Sequence, residues 1–515
     1  MGFRRVPGSL NIGFRSRAKV QDRIRRGDLH VPHPTMGPRM RPLVPHHLSA
    51  SMSPNSPPFG FPRRPGPLFL AVLLAFGLAL TEAVSPERAD AQTVPTVRDR
   101  AEREWEVTLE KLETRLKPLM REHGVQMWII MSRENHPDPL LDLFGGYGIT
   151  GFYGHRNAYI FYDPGEGEAL ERTILGTHVS GHHLDFFPDT PAAGHGYGEE
   201  GLAPHLRAFV EARDPSTIAV NRSPTITMAD GISHEAWRYL TRALGDEYAG
   251  RIVSSEPLVI DYVSHRTPGE VEIAVEASWI TWHILRRAFS NEVIRPGRTT
   301  LMDVYWWIVA EWRRQGLDFN FPPSMSIRRE GLEGALSDAE DPVIEPGDLI
   351  HVDFGVKLMG IVTDQQKQIY VLREGESEAP RGLRDLFDQS ARMVEIVSEE
   401  LRPGVIGHEV KERAEARGHA EGIQNLVYSH TQGNWVHGVG AWAIFDWPER
   451  YGQHPREPVR YNEFWSVELA VTGEVPEWGG QTVTMGREED GWIDGDGVFH
   501  WMAGPQEGIW LVRSR

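Results

Sequence analysis

The sequence contains no cysteine among its 515 residues. This absence excludes disulfide bonds, thiolate nucleophiles and cysteine-ligated zinc, so any metal site has to use histidine and carboxylate ligands. A hydrophobic share of 40% and the 16 tryptophans indicate a globular protein and argue against a disordered one. The length exceeds that of one ordinary hydrophobic core and predicts two folded domains with additional segments.

Positive charge is scarce over most of the chain. The formal net charge is −18, and residues 92–515 hold 41 Lys and Arg against 67 Asp and Glu. A protein body of this sign repels phosphate backbones. We therefore expect no nucleic-acid partner.

The apolar run from Leu68 to Leu80 is too short to span a membrane. It follows Arg63-Arg64 and precedes Ala89-Asp90-Ala91, and this order of charged flank, short apolar core and small residues is typical of a secretory signal. The pattern predicts a signal peptide over residues 68–91, cleaved after Ala91. An uncleaved N-terminal anchor is the alternative.

Export has two consequences for the rest of the chain. The mature protein is expected to be periplasmic or secreted, with no stable membrane span. Residues 1–67, whose first part is rich in proline and arginine, are predicted to be a disordered or untranslated extension, with Met52 as an alternative start.

Residues 98–256 are predicted to form an α/β domain, because helical and strand patterns alternate there. Leucines at helical spacing indicate a helix over Arg98–His123 that Gly124 ends. The predicted strands are Val125–Met131, Asn157–Tyr162 and Ile218–Val220.

Residues 263–515 are predicted to form a second, α+β domain. Thr267-Pro268-Gly269-Glu270 is a capping box that predicts a helix reaching Phe289, and a second helix is expected over residues 301–315. Strands are predicted after these helices, at Leu349–Phe354, Ile361–Val371, Phe464–Val471 and Thr482–Gly486.

Two aspartates flank a predicted hairpin turn that Gly355 and Gly360 bracket. If the turn centres on Leu358-Met359, Asp353 lies directly opposite Asp364, and opposed residues have Cβ atoms about 4.5–5.5 Å apart. Two carboxylates that close repel each other unless a proton or a cation lies between them. The alternative is an exposed hairpin with solvated acids, which the apolar neighbours of both aspartates argue against.

Three further residues carry chemistry. His437 is followed by Gly438-Val439-Gly440, where glycines allow the backbone to approach a bound group, although a structural histidine is an open alternative. Glu468 interrupts an apolar strand and needs a cation there, because charged residues are rarely buried unpaired. Glu489 lies in a charged segment that, taken alone, predicts a solvated turn.

The order of these residues resembles that of the pita-bread metallopeptidases, which include methionine aminopeptidases, Xaa-Pro aminopeptidases and prolidases. The resemblance extends from about residue 98 to the C-terminus. In the N-terminal half, Ile218-Ala219-Val220-Asn221 and Ala229-Asp230-Gly231 resemble the creatinase-type domain of prolidases. Gly504-Pro505-Gln506-Glu507 resembles the end of a bacterial prolidase-like subgroup.

This resemblance implies a site with two divalent metal ions, with Mn²⁺ expected first and Co²⁺ or Zn²⁺ as alternatives. Asp353 would bind one ion, Asp364 and Glu489 would bridge both, and His437 with Glu468 would complete the second. A metal-bridged water would be the nucleophile and Glu468 its proton acceptor. Relatives are commonly dimers, which implies a homodimer that binds a peptide substrate.

The sequence departs from the family pattern on the substrate side. Ile444 stands where a second histidine usually follows the ligand histidine, and residues 318–350 contain none of the expected histidines. His430 is a candidate catalytic replacement, with a structural loop histidine as the alternative. After Asp364 the usual Thr-Arg pair is replaced by Gln366-Lys367.

The expected function is therefore that of an exported, dinuclear metal-dependent aminopeptidase or dipeptidase of Xaa-Pro type. Two alternatives stay open. One is a non-catalytic pita-bread binding module, which the missing histidines allow. The other is a creatinase-type C–N hydrolase, which acts without metal and has lost ligands.

Overall fold

A computed structural model describes residues 96–133, 135–144, 156–176, 183–191, 201–318 and 320–514. The predicted extension over residues 1–67 and the predicted signal segment over residues 68–91 lie outside the described residues. Within the described part of the chain, no helix is long and apolar enough to cross a membrane.

The first sheet has five strands in the order β3-β2-β1-β4-β5. The strands are β1 (Met127–Ser132), β2 (Asn157–Tyr162), β3 (Glu171–Leu175), β4 (Ile218–Val220) and β5 (Ile252–Ser254). β1 pairs with β2 antiparallel and with β4 parallel, so the sheet is mixed. The bounds of β2 and β4 are the predicted ones.

Helices precede, separate and follow these strands along the chain. They are α1 (Val97–Lys111), α2 (Lys117–Glu122), α3 (His183–Phe186), α4 (Ala203–Arg213), α5 (His234–Ala249) and α6 (Glu256–Ser264). A π-helical turn over Leu112–Leu116 joins α1 to α2. The predicted single N-terminal helix is therefore two segments, and Gly124 with a φ of 63° follows them as the predicted stop.

The remaining helices are α7 (Pro268–Ala288), α8 (Leu301–Arg314), α9 (Arg381–Glu400), α10 (Gly407–Ala420) and α11 (Pro448–Tyr451). The predicted capping box begins α7, because Thr267 Oγ1 accepts a hydrogen bond from the Glu270 amide at 3.3 Å and the Glu270 carboxylate accepts one from the Thr267 amide at 2.9 Å. This fixes the start of the helix that packs against the second sheet.

The second sheet has ten strands. They are β6 (Ser324–Arg328), β7 (Leu336–Ser337), β8 (Leu349–Phe354), β11 (Gln365–Val371), β12 (Asn425–Val427), β13 (His430–Thr431), β14 (Glu463–Val475), β15 (Gln481–Ile493), β16 (Phe499–Trp501) and β17 (Trp510–Val512), with β9 (Lys357–Leu358) and β10 (Ile361–Val362) forming a separate ribbon. The main order is β12-β14-β15-β11-β8-β6-β7. One apolar cluster joins α7 and α8 to β8 and β11, and a second joins α9 and α10 to β14 and β15.

The hairpin that carries the two aspartates forms, with a register two residues away from the predicted one. Asp353 pairs with Gln366, and Leu358 pairs with Ile361, so the turn centres on Met359 and Gly360. Both turn residues have positive φ, 46° and 77°, which the glycine accommodates. A shift of two residues keeps each side chain on its face.

Candidate metal centre

Four side chains form one row across four neighbouring strands of the second sheet. Gln366 on β11 lies directly opposite Asp353 on β8 and also opposite Glu488 on β15. Glu488 in turn lies opposite Glu468 on β14. Directly opposed residues share a face of a sheet, so three carboxylates and one amide line up on the same side.

Asp364 and His430 complete this row from the flanking segments. His430 lies on β13, and its Nε2 atom is 3.4 Å from Glu488 Oε1, 3.6 Å from Glu468 Oε2 and 3.9 Å from Asp364 Oδ2. The side chains of His430, Asp364 and Glu488 are 5%, 6% and 2% exposed, whereas that of Glu468 is 15% exposed. Glu468 is therefore the most accessible carboxylate of these three.

Burial and mutual repulsion both disfavour negative charge in this cluster. Desolvation, followed by the nearby Glu488 carboxylate, raises the pKa of Asp353, Asp364 and Glu468 well above their usual range. Desolvation also raises the pKa of Glu488 to about 7. A cation bound among these groups would relieve both effects.

Both histidines are held neutral, His430 inside the cluster and His437 at its exposed edge. Desolvation lowers the pKa of His430 to about 4 and that of His437 to about 3. A neutral imidazole has a nitrogen lone pair available for a metal ion. The ring centroids of the two histidines are 4.3 Å apart.

The residues present fit a divalent metal ion. Asp353 Oδ1 and His430 Nε2 are buried and have no hydrogen-bond partner, so two atoms able to bind a metal ion are left without a hydrogen bond. Ligand atoms lie within 4.8 Å of one another in three groups: Asp353, Asp364 and Glu488; His430, Glu468 and Glu488; and Asp364, His430 and His437. Oxygen donors with imidazole suit Mn²⁺, Co²⁺ or Zn²⁺.

The structure does not bring the predicted ligand Glu489 into this cluster. Successive residues of a strand point to opposite faces, and Glu488 occupies the face of the row. The Glu489 carboxylate instead binds Lys367 Nζ, accepts a hydrogen bond from the Gln506 amide at 2.8 Å and lies 3.3 Å from Arg487 Nε. The segment is also not a solvated turn, because β15 continues through it and Glu489 is 2% exposed.

His437 lies at the edge of the cluster and is exposed. It groups with Asp364 and His430, while His430 is the histidine that faces Glu468 and Glu488. The sequence assigned the ligand role to His437 and a catalytic role to His430. The structure brings both into the site and places His430 deeper in it.

Two supporting residues carry no motif that a single sequence reveals. Gln366 donates hydrogen bonds from Nε2 to Glu468 Oε1 at 2.6 Å and to Glu488 Oε2 at 3.1 Å, and its Oε1 lies 2.9 Å from His351 Nε2. Asp490 accepts a hydrogen bond from the Asp364 amide at 2.9 Å and thereby fixes the backbone of that residue. In the sequence, the replacement of the usual Thr-Arg pair by Gln366-Lys367 set this segment apart, but it did not indicate the role of Gln366.

A cavity of about 550 Å³ opens beside His437. Its walls include Trp435 and Trp442 from the segment between β13 and β14, Tyr451 of α11 and Met228 from the N-terminal part of the chain. Trp442 stacks on His454 with centroids 4.3 Å apart and an interplanar angle of 9°. An aromatic cavity next to a cluster of ionisable groups is the usual form of a small-molecule or peptide site.

Comparisons with known proteins agree with this arrangement. Residues 273–493 match the metallopeptidase family M24, and this range contains all of the clustered carboxylates and histidines. A search of curated protein sequences gives no match. Residues 273–493 are therefore a domain of metallopeptidase family M24, the pita-bread metallopeptidases, and this domain is that of a hydrolase.

Solved structures share the fold over most of the chain. An X-Pro aminopeptidase from Thermotoga maritima is 18% identical with a TM-score of 0.57, covering 77% of this chain and 100% of that one. An Xaa-Pro dipeptidase from Bacillus anthracis is 16% identical with a TM-score of 0.55, covering 78% and 99%. A putative aminopeptidase P from Bacillus anthracis is 12% identical with a TM-score of 0.56, covering 77% and 94%. At these identities the likeness establishes the fold.

Proposed function

We propose that the protein is an exported aminopeptidase or dipeptidase of Xaa-Pro type that uses two divalent metal ions, with Mn²⁺ expected first. The observation that carries this proposal is the row of buried carboxylates beside His430, with two potential ligand atoms left without a hydrogen-bond partner. Asp364 and Glu488 each belong to two of the three ligand groups, which suits ligands shared between two ions.

The residues of the chain have distinct roles in this proposal. Asp353, Asp364, Glu488 and His430 would hold the ions, with His437 at the exposed edge. Bound metal ions would supply Lewis acidity and an activated water at neutral pH. Glu468 would accept the proton of the attacking water, because its side chain is more accessible than those of Asp364 and Glu488 and Gln366 fixes its orientation.

The substrate would enter through the cavity beside His437. The solved relatives are named as X-Pro aminopeptidase and Xaa-Pro dipeptidase, which supports a proline-linked peptide as substrate. Ile444 replaces a histidine that usually helps to hold the substrate. We therefore expect slow turnover of simple Xaa-Pro dipeptides compared with that of ordinary prolidases.

The test combines metal analysis of the purified protein with a peptide-library cleavage screen. We expect close to two transition-metal ions per chain, release of N-terminal residues or splitting of Xaa-Pro bonds, loss of activity on chelation, and recovery with Mn²⁺ or Co²⁺. Protein that contains no transition metal and does not respond to added metal would contradict the proposal.

A non-catalytic binding module is a second candidate, and one observation favours it. The Gln366 amide donates to Glu468 and Glu488 and so satisfies part of their hydrogen-bonding capacity without a metal ion. In that case peptides would bind and stay intact. Peptide binding by calorimetry with no cleavage, in protein loaded with Mn²⁺, would support the binding module.

Export and assembly are separate proposals with direct tests. N-terminal sequencing of the native protein should start at Gln92, and a mature cytoplasmic chain that begins at or before Met52 would contradict export. Sedimentation equilibrium should give a homodimer, and a monomer at micromolar concentration would contradict that assembly.

A further inference from the structure

A second cavity, of about 750 Å³, lies away from the carboxylate row. Residues of α7 and α9 and the segment between β16 and β17 form its walls. Arg487 of β15 also lines it, and Arg487 is adjacent in sequence to Glu488 and therefore points to the opposite face of the strand. The cavity thus lies on the side of the sheet that does not carry the metal ligands.

The charge beneath this cavity is unbalanced. Lys367 and Arg487 have side chains 0% and 1% exposed, and among the described residues Glu489 is the one carboxylate that forms an ion pair with either. Two buried cations therefore share one buried anion. Unpaired buried charge is costly, so the arrangement has a free-energy deficit that one additional anion would offset.

The atom of this pair of cations that lacks a hydrogen-bond partner is Arg487 Nη1. Arg487 Nε lies 3.3 Å from Glu489 Oε1, Nη2 donates to the Gln506 carbonyl, and Nη1 is buried without a partner. The guanidinium also lies over the Phe387 ring, with 4.4 Å to the centroid, so its position is fixed by packing. A planar guanidinium with a free nitrogen is suited to a carboxylate.

Tryptophans form the apolar wall of the same cavity. Trp282 contacts both Trp279 and Trp510, with ring centroids 5.7 Å and 5.6 Å apart. Trp279 is 42% exposed although it lies in a well-packed helix, and Arg286 covers the Trp510 ring at 5.1 Å. Trp279 is the exposed member of this group, and the three rings together give the cavity an apolar wall for the body of a ligand.

We propose that this cavity binds a small organic monocarboxylate with an apolar or aromatic body. Its carboxylate would pair with Arg487, and its body would pack against Trp279, Trp282 and Trp510. Glu395 and Glu507 also line the cavity and would disfavour ligands with several negative charges. This site is independent of the proposed peptidase activity, because none of its lining residues belongs to the carboxylate row.

The test uses calorimetric titration of the full chain with 3-phenylpropionate and with its neutral analogue 3-phenylpropanamide. We expect the acid to bind at least about tenfold more tightly than the amide, since an Arg–carboxylate pair is lost with the amide. Equal affinity for the two, or no binding of the acid, would overturn the proposal.

Variants distinguish this cavity from the metal centre and from an interface between copies. Trp279→Ala should weaken the acid at least about tenfold, whereas Trp306→Ala, which removes another exposed tryptophan on α8, should leave affinity unchanged. Unchanged affinity in Trp279→Ala would place the ligand elsewhere, the metal centre included, and would overturn the proposal. A shift from dimer to monomer in Trp279→Ala with unchanged acid affinity would identify the surface as an interface and would also overturn it.

Discussion

The two faces of the second sheet carry opposite charge imbalances where β11 pairs with β15. One face presents the carboxyl groups of Asp353, Glu468 and Glu488, which a bound cation would stabilise in the charged form. The other presents Lys367 and Arg487 with Glu489 alone between them, which is surplus positive charge. Because neighbouring residues of a strand alternate between faces, a shift of one residue moves a carboxylate from a metal centre into an ion pair.

The largest expected effect comes from neutralising the metal face at its centre. Glu488→Gln should lower kcat/KM for peptide hydrolysis by more than about 100-fold and lose bound metal, because a neutral amide is a poor ligand to share between two cations. Steady-state kinetics and elemental analysis of the same preparation measure both. Normal activity and metal content in this variant would remove Glu488 from the centre.

The matched change on the other face should affect stability instead. Glu489→Gln leaves Lys367 and Arg487 buried without a carboxylate, and breaking a buried pair costs about 3–5 kcal/mol in the free energy of unfolding. Denaturant unfolding measures this loss, and metal content per folded chain should stay at the wild-type value.

A second substitution checks the cause of that loss. Combining Glu489→Gln with Lys367→Met removes one of the two cations that Glu489→Gln leaves unpaired. The double variant should therefore recover part of the lost stability, as expected for coupled residues in contact. Additive losses in the double variant would show that the ion pair is not the cause. Loss of metal in Glu489→Gln alone would contradict the assignment of the two faces.

Removing the metal should destabilise the folded protein, because the carboxylates of Asp353, Glu468 and Glu488 then lie close together without a cation. Chelation should lower the free energy of unfolding by about 3 kcal/mol at metal concentrations near 100 times the dissociation constant, because metal binds the folded state alone. The comparison is thermal unfolding with Mn²⁺ and with chelator. Glu488→Gln should show little difference between the two conditions, and a wild-type response in that variant would argue for metal bound elsewhere.

The smallest expected effect concerns the amide within the row. Gln366→Leu removes hydrogen bonds to Glu468 and Glu488 and should lower kcat/KM about 10- to 100-fold, in the range of other residues that orient metal ligands. Gln481→Leu is the control, because that glutamine lies on β15 and binds the Arg329 and Leu332 carbonyls instead. Higher metal affinity in Gln366→Leu would show that the amide competes with metal, and would favour the binding-module alternative.

Local signals predicted much of the fold. The capping box at Thr267 and the apolar runs Asn157–Tyr162 and Leu349–Phe354 specify their elements with neighbouring residues alone. The hairpin register was missed by two residues because Met359 adopts positive φ, which an ordinary residue seldom does and which moves the turn toward Gly360. Side chains kept their faces, so Asp353 and Asp364 still meet.

The choice between Glu488 and Glu489 as the fifth carboxylate could not be made from the sequence, for a different reason. The face of a sheet to which a side chain points is predicted from the alternation of apolar and polar residues along the strand. Residues 487–490 are Arg, Glu, Glu and Asp, so this alternation is missing there. Family order then selected Glu489, and nothing in the sequence opposed it. The pairing of Glu488 with both Glu468 and Gln366 is a long-range contact that decides the facing only once the sheet is assembled.

Anomalous diffraction from crystals grown with Mn²⁺ or Co²⁺ would locate the metal ions without relying on activity. We expect anomalous peaks among Asp353, Asp364, His430, Glu468 and Glu488, with Glu489 still paired to Lys367. A peak within bonding distance of the Glu489 carboxylate, or metal-loaded crystals with no peak near Glu488, would contradict this expectation.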